Sequence, residues 1–231
     1  LASRPESISH PLRGAPRTLP IPDPSNFAIG GSSTTRDARA SWIASDFSLD
    51  QEPGRSAALD AAATLALLRS INVGAYVPSN GAVYPSTSFG RSLRSAAALI
   101  KADIGVEAIQ VDIGGWDTHS TENPVAGALF NLMRDFSNAI GAFWQDVLQG
   151  NGTYQVTLVA MSEFGRNVKE NGNLGTDHGR GGAMYVLGHN IAGGRVLTQN
   201  WQPLAIANLQ DGQDLKVTID RGSGPEVNEV N

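Results

Sequence analysis

Short apolar runs, the first two set behind stretches with helical spacing, are what most constrain this chain. The first run, "EAIQVDIGG" at residues 107–115, carries β-branched Ile109, Val111 and Ile113 and stops at Gly114 and Gly115. The second, "YQVTLVAM", covers residues 154–161, and "AMYVLG" at 183–188 reads as a third. Runs of this length suit strands buried in a sheet. Ahead of the first lie "RSAALDAAATLALLRSI", rich in alanine and leucine, and "SFGRSLRSAAALIKADIG", with Leu93, Ala97, Ile100 and Ile104 at three- and four-residue spacing before Gly105. Between the first and second runs, Leu129, Met133, Phe136, Ile140, Phe143 and Val147 form the stripe of an amphipathic helix ending near Gly150. Helices alternating with strands predict an α/β fold with a mostly parallel central sheet and flanking helices. Ligands in such sheets gather outside the carboxyl ends of the strands.

Six of the twelve prolines fall before Ser25. They block helix interiors and sheet ladders, so residues 1–35 are expected to be an extended arm or linker. The α/β domain is expected over residues 36–220, with a polar tail at 221–231. A chain of 231 residues can bury a core without staples, and it has no cysteine. That removes thiol catalysis and zinc knuckles without choosing between a cytosolic and an exported protein.

With 17 basic against 22 acidic residues and no dense Lys/Arg run, the chain lacks a phosphate-binding stripe, and nucleic acid is not an expected partner. Membrane insertion is not expected either. The stretch "AAATLALL" at residues 61–68 falls far short of the roughly 20 apolar residues that span a bilayer.

Polar chemistry concentrates in two places, "GGWDTHS" after the first run and residues 162–182 after the second. Asp117 and His119, one residue apart, leave the same side of an extended backbone. Such a pair can bind a divalent cation or act as an acid–base pair in which the carboxylate orients the ring. Asp177 and His178 are adjacent and would splay apart in a regular strand, but Gly175 and Gly179 permit a tight turn that brings them together. Glu163 reads either as a site carboxylate or as a helix cap with Arg166 as its surface partner. Trp116 reads either as a packing residue or as a pocket wall. His189 is expected in a turn, and His10 in the proline-rich arm is not expected to be catalytic. There is no G-x-S-x-G elbow and no G-x-x-x-x-G-K loop, and the glycines of "GRGGAMYVLGHNIAGG" lack dinucleotide-binding spacing.

The motifs "DIGGWDTHS", "MSEFGRNVKENGNLGTDHGRGGAMYVLG" and "IAGGRV", with "YPSTSFGRSLRSAAALIKADIGVE" upstream, resemble the bacterial family catalogued as domain of unknown function 1501. The resemblance covers about Pro11 to about Asp220. That family is grouped with the alkaline phosphatase and sulfatase superfamily and is often exported, which implies a periplasmic or extracellular location. The resemblance further implies a parallel-rich sheet carrying divalent metals at its strand ends, and a nucleophile near the N-terminus that attacks phosphorus or sulfur.

Asp117 and His119 match the family's first ligand pair. The second match has two readings. Either Asp177-His178-Gly179 is the Asp-His-Gly motif, or Ser162-Glu163-Phe164-Gly165 takes that place. In the second, favoured reading Glu163 replaces an aspartate, Phe164 replaces a ligand histidine, and His178 is the later histidine. Nothing before Asp112 reads as a strand leading into a nucleophile, so the chain is expected to lack the family's N-terminal part.

The resemblance thus implies a metal-dependent hydrolase of phosphate or sulfate esters. Its cation, zinc first with manganese, iron or calcium also admitted by the donor types, would be held by Asp117, His119 and His178 with Asp177. Glu163, Arg166 and Arg180 are the expected catalytic groups, either arginine holding the anion. The expected partner is an anionic ester, with a further copy of the chain or the missing N-terminal segment as protein partners. The alternative is an exported, non-enzymatic binding or self-assembling protein that retains one structural cation.

Overall fold

The structure, a computed structural model, describes residues 31–149, 153–198 and 201–216 and the backbone of Asn228–Val230. Most of the expected arm, with His10, and most of the expected polar tail lie outside the described residues. The chain divides into two compact units.

The first unit takes its described residues from 31–113 and 138–147. After a 3₁₀ turn at Ser33–Thr35 come α1 (Arg36–Phe47) and α2 (Gly54–Ile71), which pack together and are tied by an ion pair between Asp37 and Arg69. Alanine and leucine favour α2, which buries Leu65 and Leu68. It stops at Asn72, whose left-handed backbone (φ 52°) lets its N–H bond the Arg69 carbonyl. In α3 (Ser88–Lys101) the Thr87 hydroxyl caps the Gly90 N–H at 3.1 Å, and Phe89, Leu93, Ala96, Ala97 and Ala98 are buried. Ile104 lies beyond the end of this helix. A Cβ at Gly90 would come within 2.2 Å of the Pro85 carbonyl oxygen, so the close approach of that loop requires glycine.

The third predicted helix is also present. α4 (Ala128–Phe143) runs into a π turn over Trp144–Leu148, and Ala139, Ala142, Phe143 and Val147 are buried. That turn places Asp146 in the interior, its side chain 0% exposed. The Tyr76 hydroxyl lies 2.8 Å from each Asp146 oxygen, while the Tyr84 hydroxyl donates at 2.9 Å, the Ser79 N–H at 2.7 Å and the Lys101 ammonium at 2.5 Å. Burial pushes the Asp146 carboxyl up, but the bonds from Lys101, Ser79, Tyr76 and Tyr84 outweigh it and hold the group below the usual carboxylate range. Burial and the neighbouring Asp146 charge push the Tyr84 hydroxyl up, which keeps it a neutral donor.

The second unit takes its described residues from 114–137, 148–149, 153–198 and 201–216, with the backbone of 228–230. Its strands pair two by two, and every pair is antiparallel. β1 (Thr157–Ala160) pairs with β4 (Tyr185–Gly188), and β2 (Gly165–Arg166) with β3 (His178–Gly179). β5 (Val196–Thr198) pairs with β8 (Asn228–Val230), and β6 (Leu209–Gln210) with β7 (Asp214–Leu215). The last pair turns through the three residues Asp211–Gln213, with Asp211 and Gly212 at positive φ and the Gln213 N–H donating to the Gln210 carbonyl at 3.0 Å. Trp116 packs edge-on against Phe136, whose ring in turn lies 5.8 Å from that of Tyr185.

This overturns the expected mostly parallel central sheet. Residues 107–115 form no strand among the described residues, and the two later runs pair with each other. In the first run Gln110 and Asp112 alternate with Ile109, Val111 and Ile113, and the two polar side chains bond each other at 3.0 Å. Such a run presents one wet face, which a strand covered on both sides cannot have. β1 and β4 are joined by a segment that folds back on itself as β2 and β3, and an antiparallel pair then forms without the crossover a parallel pair needs. β1 is also half-exposed: Thr157 and Val159 face out, while Leu158 and Ala160 are partly covered. Among the described residues no helix is long and apolar enough to cross a membrane.

The Asp146 cluster generates a prediction. Asp146→Ala leaves a buried ammonium without its partner and should cost about 3–5 kcal/mol in chemical denaturation. Because the folded carboxyl titrates below its unfolded value, its ionic contribution is fully present above about pH 3.9 and lost as pH falls through the folded value. The acid limb of the stability profile should therefore be steeper in the wild type than in Asp146→Ala.

Candidate metal centre

Two loops, around residues 116–122 and 171–178, build the candidate centre, and each is held to the other by its backbone. Thr121 N–H donates to the Asn173 carbonyl (2.9 Å), Glu122 N–H to that of Leu174 (2.8 Å), and Thr176 N–H to that of Thr118 (3.3 Å). The Thr176 hydroxyl adds a bond to the Glu122 carboxylate at 3.0 Å. Contact is so close at Gly175 that a Cβ there would lie 2.4–2.5 Å from the His119 carbonyl and the Ser120 nitrogen.

Arg166, on β2, closes the assembly. Its guanidinium donates to the carbonyls of Trp116 (2.5 Å) and Thr176 and lies 3.4 Å from Asp117 Oδ1. Its side chain is 19% exposed.

Opposite Arg166 across the ribbon, β3 presents His178. His178 Nε2 lies 2.7 Å from Asp117 Oδ1, and His119 Nε2 lies 3.0 Å from the same oxygen. One ligand atom each from Asp117, His119 and His178 fall within 4.8 Å of one another. The far nitrogen of His119, Nδ1, is 2.9 Å from Asp177 Oδ1, which also accepts from the Asn171 amide at 2.9 Å. The cluster faces solvent, with the Asp117, His119 and His178 side chains 60%, 46% and 49% exposed.

Hydrogen bonding to His178 holds the Asp117 carboxyl below its ordinary range, against an opposing effect of desolvation and with help from the charges of His119, His178 and Arg166. Bonds from His119 and Asn171 do the same for Asp177. Both carboxyls are thus held toward the anionic form, the form that attracts a cation.

Asp117, His119 and His178 converge as the sequence suggests. Asp177 does not share their point; it holds His119 from behind. The tight turn expected to unite Asp177 with His178 is absent, since His178 lies in β3 and the two side chains reach different partners. Arg166 stands behind Asp117 with its donors directed at carbonyls.

Arg180 points to the β6–β7 hairpin, bonding Gln210 and the Leu215 carbonyl and lying 3.8 Å from Asp214. Glu163 is exposed and makes no hydrogen bond or ion pair among the described residues, so it neither caps a helix nor pairs with Arg166. His189 lies in the turn after β4.

Asn171 is the functional residue that the sequence reading misses. Its amide bonds both the His119 carbonyl and Asp177, and its oxygen receives the Asn173 and Gly175 N–H groups. The Asn-Gly-Asn run at 171–173 signals a side chain turned onto its own backbone, but the bond to residue 119 has no sequence signal.

Removing the guanidinium should loosen both loops. Arg166→Ala is expected to lower stability by about 2–3 kcal/mol, on the scale of lost charge-assisted hydrogen bonds, in urea denaturation. Arg166→Lys should recover less than half of that, because an ammonium has no planar fork to span two carbonyls.

The family described as Protein of unknown function (DUF1501) matches residues 47–228. No curated protein and no solved structure matches the chain. With its matched span holding every residue of the cluster, the chain belongs to the DUF1501 family.

Proposed function

We propose that the chain is a metal-dependent hydrolase of phosphate or sulfate esters, with one divalent cation held by Asp117, His119 and His178. The convergence of one carboxylate oxygen and two imidazole nitrogens carries this reading. Three protein donors with solvent on the open side are the donor set of a catalytic rather than a structural zinc site, which is closed by a fourth protein ligand. A cation of this kind, when bound, polarises an ester oxygen and lowers the pKa of a coordinated water.

The chain's own residues prepare that site. Asp177 accepts a proton-bearing Nδ1 from His119, which leaves Nε2 free to face the shared point. Arg166 holds the Asp117 carboxylate in place, and its charge adds to the attraction for an anionic ester. The choice of phosphate or sulfate esters and of an exported protein rests on the resemblance of the motifs to the alkaline phosphatase and sulfatase superfamily and not on the fold.

A second reading, an exported binding or assembly protein that keeps one structural cation, is favoured by a specific observation. The guanidinium groups of Arg166 and Arg180 bond other protein groups, and Glu163 bonds nothing in the cluster. Neither arginine expected to hold the anion is then free to do so among the described residues.

Elemental analysis of the purified protein, with hydrolysis of p-nitrophenyl phosphate and p-nitrophenyl sulfate, tests both readings. About one transition-metal ion per chain is expected, absent from a His119→Ala, His178→Ala double variant. Asp177→Asn should keep the fold and weaken metal affinity by about 10–100-fold, as measured by chelator competition. Bound metal without turnover of either ester would favour the second reading. No metal after reconstitution with zinc or manganese would sink the metal-centre proposal.

A further inference from the structure

We infer that Phe164 is the positioning residue of His178, setting the plane of that imidazole by stacking where no hydrogen bond does so. The inference rests on the metal-centre reading above and explains how its third ligand is held.

The two histidines of the cluster are oriented differently. His119 is anchored at its far nitrogen, Nδ1, by Asp177 at 2.9 Å, with Nε2 facing Asp117 at 3.0 Å. His178 is held through Nε2 alone, and its Nδ1 has no hydrogen-bond partner among the described residues. A ligand histidine ordinarily needs a second anchor on its far nitrogen to fix ring orientation. His178 is half-exposed and sits on a two-residue strand, so its ring would otherwise turn freely about its side-chain bonds.

The stack supplies the missing anchor. Phe164 lies face to face with His178, with centroids 4.1 Å apart and planes 13° from parallel. His119 covers the other face at 4.9 Å and 27°. The Arg166 guanidinium also lies 5.0 Å from the Phe164 ring centroid, so that Phe164 touches both Arg166 and His178.

A ring sandwiched on both faces cannot rotate out of plane without losing both contacts, which leaves its Nε2 edge directed at Asp117. The Phe164 backbone is itself fixed, its N–H donating to the Ser162 hydroxyl and its carbonyl accepting from it. Arg166 thereby holds the site twice, through the loop carbonyls and through the stack.

Phe164→Leu keeps most of the bulk and removes the aromatic face, whereas Phe164→Tyr keeps the face. Two readouts separate positioning from general stability. In the metal-free protein the His178 ring C–H protons should carry an upfield ring-current shift in proton NMR, preserved in Phe164→Tyr and lost in Phe164→Leu. Zinc affinity by chelator competition should fall by about 10–100-fold in Phe164→Leu and be restored in Phe164→Tyr.

Circular dichroism identifies a leucine variant that fails to fold, and wild type against Phe164→Tyr then carries the ring-shift test. Wild-type zinc affinity in a folded Phe164→Leu, with affinity lost in His178→Ala, would overturn the inference. If the wild type binds no zinc, the metal reading fails separately. The His178 ring shift then still decides whether Phe164 orients that ring, and its absence would overturn the inference.

Discussion

The fork of Arg166 between the carbonyls of Trp116 and Thr176 is the contact on which the candidate centre depends. Those carbonyls belong to loops 60 residues apart in the chain, and a planar group with several fixed donors can bridge both while still touching Asp117. The backbone of Arg166 is occupied as well, since its N–H and carbonyl exchange bonds with Gly181. One residue therefore sets the separation of the loops, the position of the first carboxylate and, through its contact with Phe164, the plane of His178. The glycines around it follow from the same constraint: a Cβ at Gly165 would lie 2.5 Å from the Gly179 carbonyl oxygen, and one at Gly179 would lie 2.5 Å from Asn167 Oδ1.

The molecule treats two of its aspartates in opposite ways. Asp146 is buried, and tyrosines, a lysine and a backbone N–H surround it. With its oxygens committed to protein donors, it serves packing and has no free lone pair for a ligand. Asp117 is mostly exposed, its bonded neighbours include two imidazoles that can ligate the same cation, and one face of the cluster remains open to solvent. A charge inside a low-dielectric core must be satisfied by the protein, whereas a charge at the surface can exchange its partners for water or an ion.

The helices α2, α3 and α4 were legible because their stripes and caps are local, whereas α1, which buries no residue, was not. Leu93 and Ala97 lie on the buried face of α3, and Phe143 and Val147 on that of α4 and its π turn, as their spacing predicts. The candidate centre was partly legible too, because Asp117, His119 and His178 are residue types with few other reasons to cluster. Arg166 and Phe164 were visible as residues but not in their roles. Stacking on His178 and donation to distant carbonyls depend on contacts across at least ten residues, for which a sequence carries no periodic signal. Asn171 was not legible as a site residue at all.

By itself, then, the sequence determined α2, α3 and α4, the apolar runs and the inventory of ligating side chains, since propensity and spacing act within a few residues. Only the tertiary structure decided how the runs pair and which side chains meet. The run at 107–115 and the strands Thr157–Ala160 and Tyr185–Gly188 are similar as apolar text, yet only the last two form a ladder, and it is antiparallel. Pairing direction depends on how the intervening chain returns, and the segment from Met161 to Met184 returns by folding on itself. That same return brings His178 to Asp117, so the contact that forms the candidate centre and the one that overturns the parallel sheet have a single physical origin.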